Sequence, residues 1–248
     1  MSLANQTKEN GEDGLIMKRT YSPFISAQSK QVLSELISGA GYSSYRKSMK
    51  NAGSLLAIEL IKSESFSGID SCTIASTAED ADFLTSGVDE ILEKNLPGRT
   101  YSAVFWNNHY QLPTGKSIAP VVHKFIEPGC EVAESLIVTK SVISGACVVR
   151  TNILALIESM PHLKKIYVLS PVMLKGADSN LKESFPDNIA EKFEFFFFAL
   201  DEEKDEKTGE VLPGIGGQVY ELLGLESQPV SSSFMPNLVK DKVFATFA

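Results

Sequence analysis

The chain has 248 residues, 43% of them hydrophobic and 22% charged, with 31 acidic side chains against 23 basic ones and a formal net charge of −8. That mix suits a globular protein with a substantial core and excludes disordered and fibrous classes. The acidic balance argues against a protein that grips nucleic acid by neutralising phosphates, while a local nest of amides or one lysine still suits a small anion. Cys72, Cys130 and Cys147 form no CxxC motif. No apolar run is long enough for a bilayer and no hydrophobic leader opens the chain, so a reducing, cytoplasmic setting without membrane partners is expected.

Residues 1–20 open with the polar, glycine-bearing "MSLANQTKENGEDG", which predicts a mobile tail. In "SAQSKQVLSELISG", Val32, Leu33, Leu36 and Ile37 have helical spacing, with Gly39 as a stop. A clearer helix follows in "YRKSMKNAGSLLAIELIKSE", whose apolar face is Met49, Ala52, Leu56 and Leu60; lysines and a glutamate fill the rest, as for a helix lying on a sheet. The strand candidate "SCTIAS" leads through Thr77–Asp80 into the helical "ADFLTSGVDEILEK". The strand "TYSAVFWNN" precedes a loop, "HYQLPTGKSIAP". Then come the strand "SLIVT", a helix with Val149, Ile153, Leu156, Ile157 and Met160 on one face, and the strand "KKIYVLSPV". A short helix near "DSNLKESF" and the strand "FEFFFFAL" complete the series. Strands alternating with helices predict an α/β fold with a mainly parallel central sheet covered on both faces. No internal repeat is visible.

In such a sheet ligands bind beyond the carboxyl ends of the strands, which brings three loops to one edge: Ser76–Asp80, Thr139–Cys147 and Pro213–Gln218. The small residues of "SVISGAC" suit backbone amides converging on a phosphate at the positive end of the following helix, although an ordinary strand-to-helix connection has the same pattern. In "LPTGKS" the first glycine of a P-loop would fall at Tyr110, so no such loop is expected. His109, His123 and His162 lack the spacing of a metal cluster, and no G-x-S-x-G elbow marks a hydrolase. Trp106 and His109 could line a pocket, a lone tryptophan near a strand end being more often core. The aromatic run "FEFFFFAL" reads as a buried strand and not as a base-stacking platform, which needs exposed rings and basic neighbours.

Taken in order, these pieces resemble the uracil phosphoribosyltransferases, of type I phosphoribosyltransferase fold, over about residues 45–224. The helix "YRKSMKNAGSLLAIEL" is similar to that family's F-R-x-x-x-x-x-x-G-x-L-L-A-x-E, matched by Arg46, Gly53, Leu55, Leu56, Ala57 and Glu59, with Tyr45 in place of phenylalanine. "FPDNIAEKFEFFFFALDEEKDEKTGEVLPGIGG" is similar to its late strand, acidic turn and proline-glycine base loop, matched by Asp201, Gly209, Pro213, Gly214 and Gly216. The resemblance implies transfer of a phosphoribosyl group from phosphoribosyl pyrophosphate to uracil or a related base, with Mg2+ as cofactor and a homodimer as assembly. It places Ile143, Ser144, Gly145, Ala146 and Cys147 in the 5′-phosphate loop, and the positive charge of Lys140 just before them suits the same phosphate. It places Val211, Gly216 and Gln218 at the base, and in a divergent enzyme of this kind Asp201 is expected to serve as the catalytic acid. Its domain would span residues 21–226, leaving 227–248 as an extension whose Val243, Phe244 and Phe247 are spaced to dock on a surface.

The departures from the family pattern concern charge. Breaking the bond to pyrophosphate builds cationic character on the sugar, so the reaction depends on positioning, on a metal-complexed leaving group and on nearby negative charge. The family's acidic position at the loop head is Thr139 here, beside Lys140; its basic pyrophosphate loop becomes "STAED", with Glu79 and Asp80; and Gly217 replaces an acid in "PGIGGQ". Two readings follow. One is a divergent enzyme on a pyrimidine base; the other is a catalytically silent domain of the same fold that binds a nucleotide or a protein partner in a regulatory role.

Overall fold

Apolar runs bounded by turn residues pair into one sheet. The computed structural model describes residues 6–10, 16–111, 117–231 and 233–246. In chain order its strands are β1 (Gln6–Asn10), β2 (Ile16–Tyr21), β3 (Cys72–Thr77), β4 (Thr100–Asn107), β5 (Tyr110–Gln111), β6 (Ser117–Ile118), β7 (Val121–Ile126), β8 (Ser135–Thr139), β9 (Val142–Ile143), β10 (Lys165–Leu174), β11 (Phe193–Asp201), β12 (Glu203–Lys204) and β13 (Val211–Leu212). Its helices are α1 (Ala27–Ile37), α2 (Tyr42–Lys62), α3 (Ala78–Asp80), α4 (Ser86–Asn95), α5 (Cys147–Ile157), α6 (Ala177–Glu183), α7 (Asp187–Ala190), α8 (Val219–Leu222) and α9 (Asn237–Thr246). Residues Ala81–Thr85 wind as a π turn between α3 and α4.

The main sheet has the order β1-β2-β11-β10-β8-β3-β4-β7, with the short β9 also pairing with β10. Strands β11, β10, β8, β3 and β4 are parallel neighbours, and the two edges are antiparallel. The mainly parallel α/β sheet expected from the sequence is therefore what forms. Alternation along each strand divides the core: Ile74, Ile137, Tyr167 and Phe198 pack under α1, α2 and α4. Ala75, Leu136, Val138 and Val168 pack under α5 and α6 on the other face. Helices α2 and α4 approach through reciprocal glycines. A Cβ on Gly53 would lie 2.0 Å from the Leu84 carbonyl oxygen, and one on Gly87 would lie 2.0 Å from that of Lys50.

Three expectations are corrected. Within the segment read as a mobile tail, residues 6–10 and 16–21 form an antiparallel hairpin whose second strand pairs with β11; a short polar strand carries little apolar periodicity, so its partner decides its state. The segment read as one loop holds the β5–β6 ribbon, and the antiparallel edge strand β7 follows it. The C-terminal extension docks, though not through Val243 and Phe244, which are 37% and 70% exposed; Phe247 lies outside the described residues. Val239 packs instead with Trp106, Val104 and Ala81, flanked by Phe234 and Leu238. The Trp106 indole donates to the Phe234 carbonyl at 2.8 Å, and Asp82 accepts the Asn237 and Leu238 amides, both at 2.9 Å.

Gly53→Ala is expected to destabilise the fold by about 1–3 kcal/mol, because a methyl group must force two packed helices apart; urea denaturation measures it. Asp89 is buried, and its Oδ1 has no hydrogen-bond partner. Burial raises its pKa, Thr100 and Lys242 partly offset that, and Glu93 and Glu127 add to it. A carboxyl whose folded pKa lies above its unfolded value contributes stability in acid that is lost as pH rises through the folded value. Asp89→Asn is thus expected to raise stability at neutral pH and to have a vanishing effect in acid, as read from melting temperatures across a pH series.

Candidate functional site

Parallel strands send their following loops to one edge. The chain passes from β3 to β4 on one side and later to β8, β10 and β11 on the other, so the strand order reverses between β3 and β8. A crevice opens beyond the carboxyl ends of such a pair because the two connections diverge. Here it is a cleft of about 660 Å3, and Glu79, from the connection after β3, and Lys140, directly after β8, both line it.

The wall after β8 is the short β9, the turn Ser144–Ala146 and the start of α5. Ile143, Ser144, Gly145 and Cys147 line the cleft, whereas Ala146 packs against the apolar cluster beneath α5. No side chain caps the first turn of α5, and its leading residues Cys147, Val148 and Val149 line the cleft, which puts the positive end of its dipole at the cleft wall. Gly145 is exposed, its backbone is not left-handed, and a Cβ there would meet nothing within 4 Å. The Cys147 thiol donates to the Ser117 carbonyl at 3.2 Å. Burial raises its pKa against the smaller pull of Arg150, so it stays a thiol.

Beneath this wall lies a buried polar group. Lys140 Nζ is 2.6 Å from Asp80 Oδ2 and 3.3 Å from Glu79 Oε1. Asp80 Oδ2 also accepts the Thr77 hydroxyl at 2.8 Å, and its Oδ1 has no partner. Burial alone would lower the Lys140 pKa, but Asp80 and Glu79 outweigh it and hold the ammonium above the usual lysine range. Thr139 shares a 2.8 Å hydroxyl contact with Thr85 and is buried. Among the described residues no group of three or more His, Cys, Asp or Glu side chains is arranged to hold a metal ion.

The opposite wall is the β12–β13 hairpin with the loop that follows it, and Val211, Gly217 and Gln218 line the cleft there. Gly216 lies outside the lining. It has φ +92°, and a Cβ would come within 2.8 Å of the Leu36 carbonyl oxygen, so its glycine serves the approach to α1. Asp201, expected as the catalytic acid, is fully buried and also outside the lining. Its Oδ1 and Oδ2 accept Arg19 Nε at 2.6 Å and Nη2 at 2.7 Å, and Oδ2 accepts the Gly214 amide at 2.8 Å. Arg19 Nη2 also donates to the Gly214 carbonyl at 2.7 Å. Both oxygens are engaged, which leaves Asp201 the pin of the loop and not a group that meets substrate.

The sequence offers His109 as a pocket residue, and His109 does line the cleft; the sequence does not offer Gln228. His109 enters from the loop after β4; burial, then Lys204 and Lys140, hold its pKa below the ordinary value, so it is neutral at pH 7. Gln228, from the C-terminal extension, accepts the His109 amide at 3.2 Å and also lines the cleft. Gln228 has no local signal, because it arrives from a distant segment. Glu79 did have one, its place at the head of a connection leaving a parallel strand.

No protein-family model matches the chain, and no curated protein does either. Among solved structures, it is similar to the AQ2163 protein of Aquifex aeolicus, with a TM-score of 0.62 at 13% identity over 83% of this chain and 98% of that one. A hypoxanthine phosphoribosyltransferase of Trypanosoma cruzi with the product IMP matches with a TM-score of 0.37 at 8% identity, over 52% of this chain and 66% of that one. An adenine phosphoribosyltransferase of Thermoanaerobacter pseudethanolicus matches with a TM-score of 0.38 at 11% identity, over 60% of this chain and 80% of that one. The first likeness speaks to the fold alone, and the other two are too low to carry an argument.

Arg19→Met is expected to cost about 3–5 kcal/mol, since it leaves a buried carboxylate without its counter-charge. Adding Asp201→Leu should recover much of that loss. Chemical denaturation of the single and double variants measures both.

Proposed function

We propose that the cleft binds a 5′-phosphorylated ribosyl ligand, a pyrimidine nucleoside monophosphate such as UMP, and that the protein is a phosphoribosyltransferase-like, nucleotide-binding domain with a regulatory role. The observation that carries this is the uncapped start of α5, which opens with Ser144 and Gly145 onto the cleft where the strand order reverses. Helix amides and dipole together favour a phosphate there. The ordered matches of "YRKSMKNAGSLLAIEL" and "LPGIGG" to the uracil phosphoribosyltransferases support the ribosyl and pyrimidine part. In that arrangement the ligand's phosphate sits on the α5 amides and the base lies toward Val211 and Gln218.

Binding is favoured over transfer because the ionised groups expected to act are engaged. Asp201 is held by Arg19, and Lys140 by Asp80 and Glu79. Transfer from phosphoribosyl pyrophosphate to uracil is a second reading with one observation in its favour. Glu79 is a carboxylate on the cleft itself, and a negative charge there would stabilise a cationic sugar.

Two measurements test the proposal. Calorimetry with UMP is expected to show binding that Gly145→Leu weakens at least tenfold while melting temperature stays near the native value, because the added side chain enters open space. Unchanged affinity would relocate the phosphate. Incubation with Mg2+, phosphoribosyl pyrophosphate and uracil is expected to release no pyrophosphate above the blank, and release with turnover would install the transfer reading instead.

A further inference from the structure

The phosphoribosyl transfer that the resemblance implies employs Mg2+, and the donor set of this cleft does not fit that ion. A divalent cation at the junction of β3 and β8 would draw on Glu79 and Asp80. Lys140 Nζ already stands between them, 3.3 Å from Glu79 Oε1 and 2.6 Å from Asp80 Oδ2. Magnesium requires near-octahedral oxygen at about 2.0–2.1 Å and keeps several waters; a buried ammonium in its place excludes both. We infer that Lys140 is the resident cation of the β3–β8 junction in this cleft, standing where a divalent ion would bind, so that the site takes a monophosphate without metal and disfavours a pyrophosphate.

The charge balance supports the second half of that statement. Lys204 and Lys207 also line the cleft, with Asp205, Glu206 and Glu210; at the β3–β8 junction itself one ammonium faces two carboxylates, and this net negative charge is buried, where repulsion of a polyanion is poorly screened. A Mg2+ that drew on Glu79 or Asp80 would take that carboxylate from Lys140, and a buried charge stripped of its partner is strongly unfavourable. Asp80 Oδ1, buried and without a partner, marks the donor that a metal would recover once the ammonium is gone. The raised pKa of Lys140 keeps that ammonium charged across the physiological range.

Electron paramagnetic resonance with Mn2+ as the probe tests the assignment on the protein itself. The native chain is expected to take up no Mn2+ in the cleft. Lys140→Ala is expected to gain a Mn2+ site and a melting temperature that rises with Mn2+, and Lys140→Ala/Glu79→Gln should lose both. Uptake by the native protein that Glu79→Gln abolishes would overturn the assignment, as would a folded Lys140→Ala that takes up none. Should Lys140→Ala fail to fold with or without Mn2+, the native measurement and the affinities decide. UMP is expected to bind equally well, within twofold, in chelator and in millimolar Mg2+, and phosphoribosyl pyrophosphate at least tenfold more weakly in both. A tenfold gain from Mg2+ for either ligand would overturn the inference. The affinity arm rests on the nucleotide reading and the manganese arm does not: absence of UMP binding in both buffers sinks that reading and leaves Mn2+ to decide this one.

Discussion

The cleft keeps its shape through one buried ion pair. Arg19 and Asp201 are cross-strand partners in β2 and β11, and their side chains meet in a two-point contact that also takes in both the amide and the carbonyl of Gly214. A planar guanidinium and a carboxylate fit each other at two points, which adds direction to attraction. The consequence reaches across three parts of the chain. The N-terminal hairpin is tied to the sheet, the last parallel strand ends at a set place, and the glycine loop behind it is held as the far wall of the cleft. Burial makes the pair directional and costly to break, so the loop inherits the rigidity of the sheet.

Against that fixed wall, the near wall combines two kinds of positive potential. The α5 amides offer a partial charge open to the cleft, which suits a ligand that comes and goes. The Lys140 ammonium is a full charge, but one bound within the protein by Asp80 and Glu79. The carboxylates Glu79 and Asp80 follow β3, and the lysine follows β8. Lys140 and these carboxylates thus form an ion pair within the protein. Thr139 bonds to Thr85 and is buried, so this edge is packed.

The core was largely legible. Residues 135–139 and 193–200 read as strands because short apolar runs between turn residues can hardly be anything else. The 3.6-residue spacing of Met49, Ala52, Leu56 and Leu60 gave the face that α2 turns to the sheet. Even Trp106, weighed as core, is fully buried. What escaped was every element whose state depends on a partner. β2 is a polar strand that exists because β11 offers it an edge and Arg19 offers Asp201 a charge. β7 is half exposed and carries weak alternation. In the C-terminal extension, Val239 faces inward and Phe244 outward, which spacing alone does not decide.

The cleft divides along the same line. That loops from three strands meet at one edge follows from α/β alternation alone, since parallel strands must all leave the sheet on the same side. That "SVISGAC" leads into a helix with small residues at its start was also plain in the chain. Tertiary structure alone decided which charges are free. Lys140 and Asp80 are 60 residues apart, and Arg19 and Asp201 are 182 apart; only folding brings either pair together. A charged residue in a sequence is a potential, and whether it faces a ligand or another side chain is settled by the pairing that burial demands.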